Sequence, residues 1–289
     1  MFRVEPISEP FEGYELADTA SGAVVTVAPG RGGIVASFSL HERALLYLEL
    51  ESLLDPSRSV RGGIPILFPI CSKLSDDSYT LNGETYTLKQ HGLARLLPWE
   101  VVDSATDGCA SLTLKLTSDG TTRASYPFDF EVRFTYQLAG ERLTIRQEYY
   151  NHSAGPMPMY AGFHPYFACT DKSQLEFDLP ASQYVDHEDG KTGDFSGNFP
   201  FDVPTIDWIF TDVRAQKASV TNRADGTRLV LEYDPVFRYL VFWTLAGKDF
   251  YCLEPWMAPR NAMNTGDHLQ HVPPGGCLST EVSILGELL

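Results

Sequence analysis

Four short stretches of this 289-residue chain gather side chains able to move protons or to hold oxygen-rich ligands. In Phe250-Tyr251-Cys252-Leu253-Glu254-Pro255-Trp256, strand alternation gives Glu254 the face shared by Phe250 and Cys252. A carboxylate on an apolar face is costly to bury unpaired. Desolvation raises its pKa and makes it a stronger base near neutrality, unless an arginine pairs it in a buried ion pair. In Gly162-Phe163-His164-Pro165-Tyr166-Phe167, the proline holds His164 extended. Alternation then puts Tyr160, Gly162 and His164 on one face, walled by aromatics. His91, in Gln90-His91-Gly92-Leu93-Ala94-Arg95, comes just after a predicted strand on a loop suited to a cleft. Either histidine fits a proton carrier or a packed, hydrogen-bonded core group. The fourth stretch is Arg61-Gly62-Gly63-Ile64-Pro65-Ile66-Leu67-Phe68-Pro69. Its glycines permit close backbone approach and its prolines stiffen the backbone around them. Arg61 at its mouth offers a planar donor fork to hydroxyl or phosphate oxygens, or pairs a surface acid. Asp207, in Ile206-Asp207-Trp208-Ile209-Phe210, is either a turn aspartate or a partner for Glu254 in glycosidase chemistry. Two histidines and a glutamate also match a His₂Glu zinc set, though without short ligand spacing.

Such residues, far apart in sequence, need a scaffold that brings them together, and alternation supplies it. Phe130, Val132, Phe134, Tyr136 and Leu138 recur every second residue, and after Ala139-Gly140 the pattern resumes at Leu143, Ile145, Gln147 and Tyr149. This is a hairpin of half-buried strands. Asn82-Gly83 between 78–81 and 84–88 is a type I′ hairpin signal. Further strands are expected over 23–27, 34–40, 112–116, 229–233, 239–244, 250–253 and 281–285. Apart from a short helical turn near 50–54, no long segment keeps a 3.6-residue period. The expectation is an all-β chain, residues 1–289, folded as one large antiparallel β-sandwich domain.

Composition narrows the function. Lys plus Arg total 22 and Asp plus Glu total 38, a net charge of −16. That balance argues against nucleic acid and membrane partners, which are bound by clustered Lys and Arg. The charge is uneven. Residues 171–213 hold ten acidic and two basic residues, which reads as a solvated loop and edge strand. Residues 58–95 hold five basic and three acidic ones, leaving room for a small anion. There is no P-loop, no GxSxG elbow and no HExxH, and Gly30-Arg31-Gly32-Gly33 leads into a strand where a dinucleotide site needs a helix. No export signal is evident at the N-terminus and no apolar run reaches about 18 residues. Five cysteines without a CxxC pair suit reduced thiols, so a cytoplasmic location is expected. Area scaling gives about 12,000 Å² of exposed surface when folded, with no need of disulfide or metal staples.

In order along the chain, RGGIPxLFP (61–69), QHGLAR (90–95), GFHPYF (162–167), the D-x-[IV]-F element at Asp207 and LEPW (253–256) resemble the aldose 1-epimerase family, also called galactose-mutarotase-like proteins. The resemblance spans roughly residues 14–285, and 61–95 looks most like the hexose-6-phosphate mutarotase branch. It implies a supersandwich with a sugar cleft on one concave sheet and interconversion of α and β anomers of an aldohexose. By resemblance, Glu254 is the base at the anomeric hydroxyl and His164 the acid at the ring oxygen. His91 then supports the charge change, and Asp207 and Arg61 hold sugar hydroxyls. Arg61 and Arg95 are the candidates for a 6-phosphate. Where that branch commonly carries an aromatic and a glycine after the FP pair, this chain has Ile70-Cys71-Ser72-Lys73. The implied partner is a small sugar or sugar phosphate, with no cofactor and no metal; monomer and weak dimer both stay open. The other readings are a non-catalytic sugar-binding or regulatory protein on the same fold and a glycoside hydrolase.

Overall fold

The computed structural model describes residues 1–289 and is built from antiparallel sheets. One eight-stranded sheet runs, in spatial order, Leu175–Asp178, Lys217–Asn222, Thr227–Tyr233, Cys277–Leu288, Arg142–Asn151, Phe130–Ala139, Ala110–Thr117 and Glu100–Ala105. A second, the site sheet, runs Thr192–Asp194, Gln183–Asp186, Thr205–Phe210, Tyr239–Leu245, Phe250–Trp256, Gly162–Phe163 and Ile66–Leu67, with Tyr166–Ala168 also paired to Phe250–Trp256. A five-stranded sheet covers the first 44 residues, and two short ribbons complete the architecture. Exposed surface totals 12279 Å², in line with the scaling expectation.

Alternation fixes which way each strand faces. In Phe130–Ala139 the buried positions are Phe130, Val132, Phe134, Tyr136 and Leu138, every second residue. They join a buried apolar cluster of 68 residues shared by both large sheets. Phe134 meets Phe163 of the site sheet at 5.7 Å between ring centroids, and Phe68 stacks on Tyr149 at 5.5 Å. Each such side chain gains about 1.5–3 kcal/mol on burial. Asn82 and Gly83, both at positive φ, make the expected tight turn between Ser78–Leu81 and Glu84–Thr87.

Three features depart from the sequence reading. Residues 171–213 are not merely a loop and an edge strand: Thr205–Phe210 lies inside the site sheet. Asp207 is accordingly a mid-strand residue, not a turn aspartate. Gly120–Ser125 is a helix, closed by a capping box in which the Asp119 carboxylate accepts from the Thr122 amide and the Thr122 hydroxyl engages the Asp119 amide. The strands Phe2–Ile7 and Gly13–Asp18 were also unforeseen: Gly13–Asp18 carries Glu15 on one face and Asp18 on the other, and the short Phe2–Ile7 is interrupted by Pro6. No helix is long and apolar enough to cross a membrane.

Candidate active site

Pairing register places the chemistry on two neighbouring rungs of the site sheet. Asp207 pairs with Trp243, Trp243 with Cys252, and Cys252 with Tyr166. The next rung pairs Ile209 with Val241 and Val241 with Glu254. Tyr166 opposes Cys252 and Gly162 opposes Trp256, so His164, midway between, stands across from Glu254. Residues two apart on a strand share a face, so all of these side chains point the same way, opposite to Tyr251 and Leu253 in the core.

The stiff 61–69 stretch sets the height of His164. The His164 amide donates to the Pro65 carbonyl at 3.2 Å, and the Tyr166 amide to the Gly63 carbonyl at 2.9 Å. Gly63 sits at φ +62°, and a Cβ there would meet the Val35 carbonyl oxygen at 2.3 Å, so only glycine fits. His91 arrives from above the sheet. Its backbone is left-handed (φ 65°), its amide donates to the Ser72 carbonyl, and its ring lies edge-on to His164 at 5.6 Å and to Trp256 at 5.9 Å.

These groups line a cleft of about 410 Å³ that also holds Arg61, Arg95, Asp207, Tyr166, Trp243 and Arg260. All six residues expected from the sequence therefore border one cavity. Glu254 is 1% exposed, and its Oε1 lies 3.4 Å from His164 Nε2. Its Oε2 accepts from the Trp256 indole at 3.1 Å. No arginine forms an ion pair with it, which sets aside the buried Arg–Glu alternative. Burial pushes the Glu254 carboxyl well above the usual range, and the nearby Asp207 charge adds to this. Burial and the Arg95 charge hold His164 down at about 3, and His91 is likewise lowered, chiefly by burial and then by the neighbouring His164. The Gln90 side-chain nitrogen donates to His91 Nε2 at 3.2 Å, which leaves the His91 proton on Nδ1, buried without a partner.

Asp207 is clamped from both sides. His187 Nδ1 lies 2.7 Å from one oxygen, and Arg260 donates to the other at 2.8 Å and to the His187 carbonyl at 2.8 Å. Burial raises its pKa, but His187 and Arg260 outweigh that and keep it low. Arg61 is exposed at the rim and forms no ion pair, contrary to the surface-pair alternative. Arg95 is half-buried. One guanidinium nitrogen donates to the Gln90 carbonyl at 3.0 Å, and its Nε is buried without a partner. His187, Arg260 and Trp243 were missed from sequence. The available signal was Asp207 itself: a carboxylate within an apolar strand requires compensating donors, but nothing local names them.

Chemically, a donor–acceptor pair 3.4 Å apart can serve two oxygens on one carbon, and the arginines can hold an anion beside it. His164, Cys252 and Glu254 also bring one metal-ligating atom each to within 4.8 Å of one another.

Residues 14–284 match the family model described as aldose 1-epimerase. Protein LacX (chromosomal) of Lactococcus lactis subsp. lactis is 24% identical over 244 residues, covering 73% of this chain and 79% of that protein. A Cenchrus ciliaris protein bearing the name "Putative glucose-6-phosphate 1-epimerase" is 26% identical, over 60% of this chain and 56% of its own length. Among solved structures, Slr1438 from Synechocystis sp. PCC 6803 superposes with a TM-score of 0.95 at 39% identity, covering both chains fully. Galactose 1-epimerase from Lactobacillus acidophilus NCFM shares the fold, with a TM-score of 0.76 at 16% identity over 100% of this chain and 98% of that one.

Proposed function

The chain belongs to the aldose 1-epimerase family and is an isomerase, and from that premise we propose that it interconverts the α and β anomers of an aldohexose 6-phosphate. The observation that carries this reading is the 3.4 Å approach of His164 Nε2 to Glu254 Oε1 at the floor of the cleft. Ring opening needs a proton taken from the hydroxyl on C1 and one delivered to the ring oxygen. Both oxygens are bonded to C1, so the acceptor and the donor must lie side by side. Each positioned acid or base supplies about 10²- to 10⁴-fold.

The pair works with one shared proton. Burial raises Glu254 and lowers His164, so of the two the carboxyl holds a shared proton the more tightly. Moving it to His164 gives the carboxylate and the imidazolium, a strong base beside a strong acid. Glu254 then takes the O1 proton while His164 protonates the ring oxygen, the C1–O5 bond breaks, and the C1–C2 bond rotates. Closure on the other face returns both protons with the roles reversed. The Trp256 indole stabilises the carboxylate form, and His91, neutral and edge-on to His164, walls the cleft beside the pair. Asp207, oriented by His187 and Arg260, accepts from ring hydroxyls.

Arg61 and Arg95 support the 6-phosphate. The cleft carries three arginines against two carboxylates, a local excess of positive charge even with Glu254 ionised, in a protein of −16. The Cenchrus ciliaris relative carries a name that points to the same substrate. The hydrolase reading loses ground because both Asp207 oxygens are already engaged, one by His187 and the other by Arg260, which blunts the carboxylate as a nucleophile. The whole chain, 1–289, acts in this reading as one domain. Exchange NMR of anomers across glucose, galactose and their 6-phosphates tests it. Acceleration, greatest for a 6-phosphate, is expected; no acceleration for any sugar favours the non-catalytic binder.

A further inference from the structure

Proton transfer uses His164 and Glu254 but leaves idle a third donor beside them. Cys252 precedes Glu254 by two residues on the same strand face, and His164 stands opposite Glu254 on the neighbouring strand. The ligating atoms of the three lie within 4.8 Å of one another. Zinc bonds to N, O and S of about 2.0–2.3 Å set donor–donor edges of roughly 3.3–3.8 Å in a tetrahedron, so closure needs shifts of about an ångström. The donor set differs from the His₂Glu set legible in the sequence, because the sheet brings in Cys252 and leaves His91 outside it.

We propose that His164, Cys252 and Glu254 form a binding site for a divalent cation of the zinc class, entered from the sugar cleft and inhibitory when filled. One thiolate, one imidazole and one carboxylate suit a borderline-soft ion and exclude magnesium and calcium, which take oxygen cages. A thiolate and a carboxylate neutralise the dication, so the filled site carries no net charge in a buried setting. His164 is already neutral, and its Nδ1 makes no hydrogen bond that ring adjustment would break. His164 and Glu254 line the cleft and give the ion its path. The step involves no redox change. The hydrated ion loses waters, three bonds form, and the Cys252 thiol proton passes to solvent, as does any proton on Glu254. The imidazole lone pair and the carboxylate are then both occupied. The inhibition rests on the proposed anomerase activity; the binding does not.

The test uses the full chain with the more exposed thiols Cys109 and Cys277 changed to serine, so that only buried cysteines remain. Equilibrium dialysis should show one zinc ion per chain, and cobalt should give a thiolate charge-transfer absorption. Cys252→Ser, with Cys252→Ala as a second variant, should abolish that absorption and weaken zinc binding about 10- to 100-fold or more. Zinc should also stop anomer exchange, EDTA should restore it, and Cys252→Ser should keep its activity in the same zinc. Zinc binding unchanged in both Cys252 variants, or cobalt bound without a thiolate band, overturns the proposal. If the chain accelerates no anomer exchange at all, dialysis and absorption still decide the site, and only the functional reading falls.

Discussion

Changing Arg95 to alanine separates phosphate recognition from catalysis. The Arg95 guanidinium is half-buried, borders the cleft, and has an Nε with no partner in the protein. A charge-assisted hydrogen bond from such a group to a phosphate oxygen contributes about 1.5–3 kcal/mol, or about 10- to 150-fold in kcat/KM. The same side chain donates to the Gln90 carbonyl and so braces the loop that carries His91. Losing that bond costs about 1 kcal/mol, roughly fivefold, for any sugar. The informative quantity is therefore a ratio, kcat/KM for the 6-phosphate over that for the free hexose. Anomer exchange monitored by NMR gives both values. Arg95→Ala should lower the ratio about tenfold or more, and Arg95→Lys, which keeps charge but loses the fork, should lower it less. Arg61→Ala should lower it least, since Arg61 is exposed and water screens it. Equal losses on phosphorylated and free sugar would refute the assignment and leave Arg95 as a loop brace.

Two variants should move the alkaline limb of the pH–rate profile in opposite directions. Trp256→Phe removes the indole donor that favours the Glu254 carboxylate, so the limb should move up while kcat falls about 5- to 10-fold. Asp207→Asn removes the charge that raises Glu254, so the limb should move down and KM should rise; no movement in either variant argues against Glu254 as the titrating base. Gly92→Ala should lower the melting temperature by several degrees, because φ is +70° and a Cβ would lie 2.3 Å from the Phe68 carbonyl oxygen. A left-handed alanine alone costs about 1–2 kcal/mol, and an unchanged melting temperature in calorimetry contradicts the packing described.

Period-two alternation was legible because one face of each long strand is buried, as in Phe130–Ala139. The candidate site was legible for a related reason. Glu254 and Asp207 are carboxylates on apolar strands, and His91 and His164 sit beside glycine and proline, so each violates its local pattern. Asp207 looked like a turn residue because its compensation is remote: Arg260 lies 53 residues on, and His187 belongs to an acidic stretch that reads as solvated surface. Trp243 looked like one more strand aromatic, and only its pairing with Asp207 and Cys252 puts it in the cleft. Phe2–Ile7 alternates only over Phe2-Arg3-Val4-Glu5 before Pro6 breaks it, and Gly13–Asp18 sets Glu15 and Asp18 on opposite faces, so neither offered a long pattern to read.

The central claim is that Glu254, sharing one proton with His164, opens the sugar ring. Exchange NMR on Glu254→Gln tests it most directly. Glutamine matches the protonated carboxyl in shape and can still accept from the Trp256 indole, so the fold should persist with an unchanged circular dichroism spectrum. It cannot take a proton from the anomeric hydroxyl. Anomer exchange should fall to the uncatalysed rate, a loss of at least about 10²- to 10⁴-fold. A folded Glu254→Gln variant that still exchanges anomers at the parent rate would contradict the account.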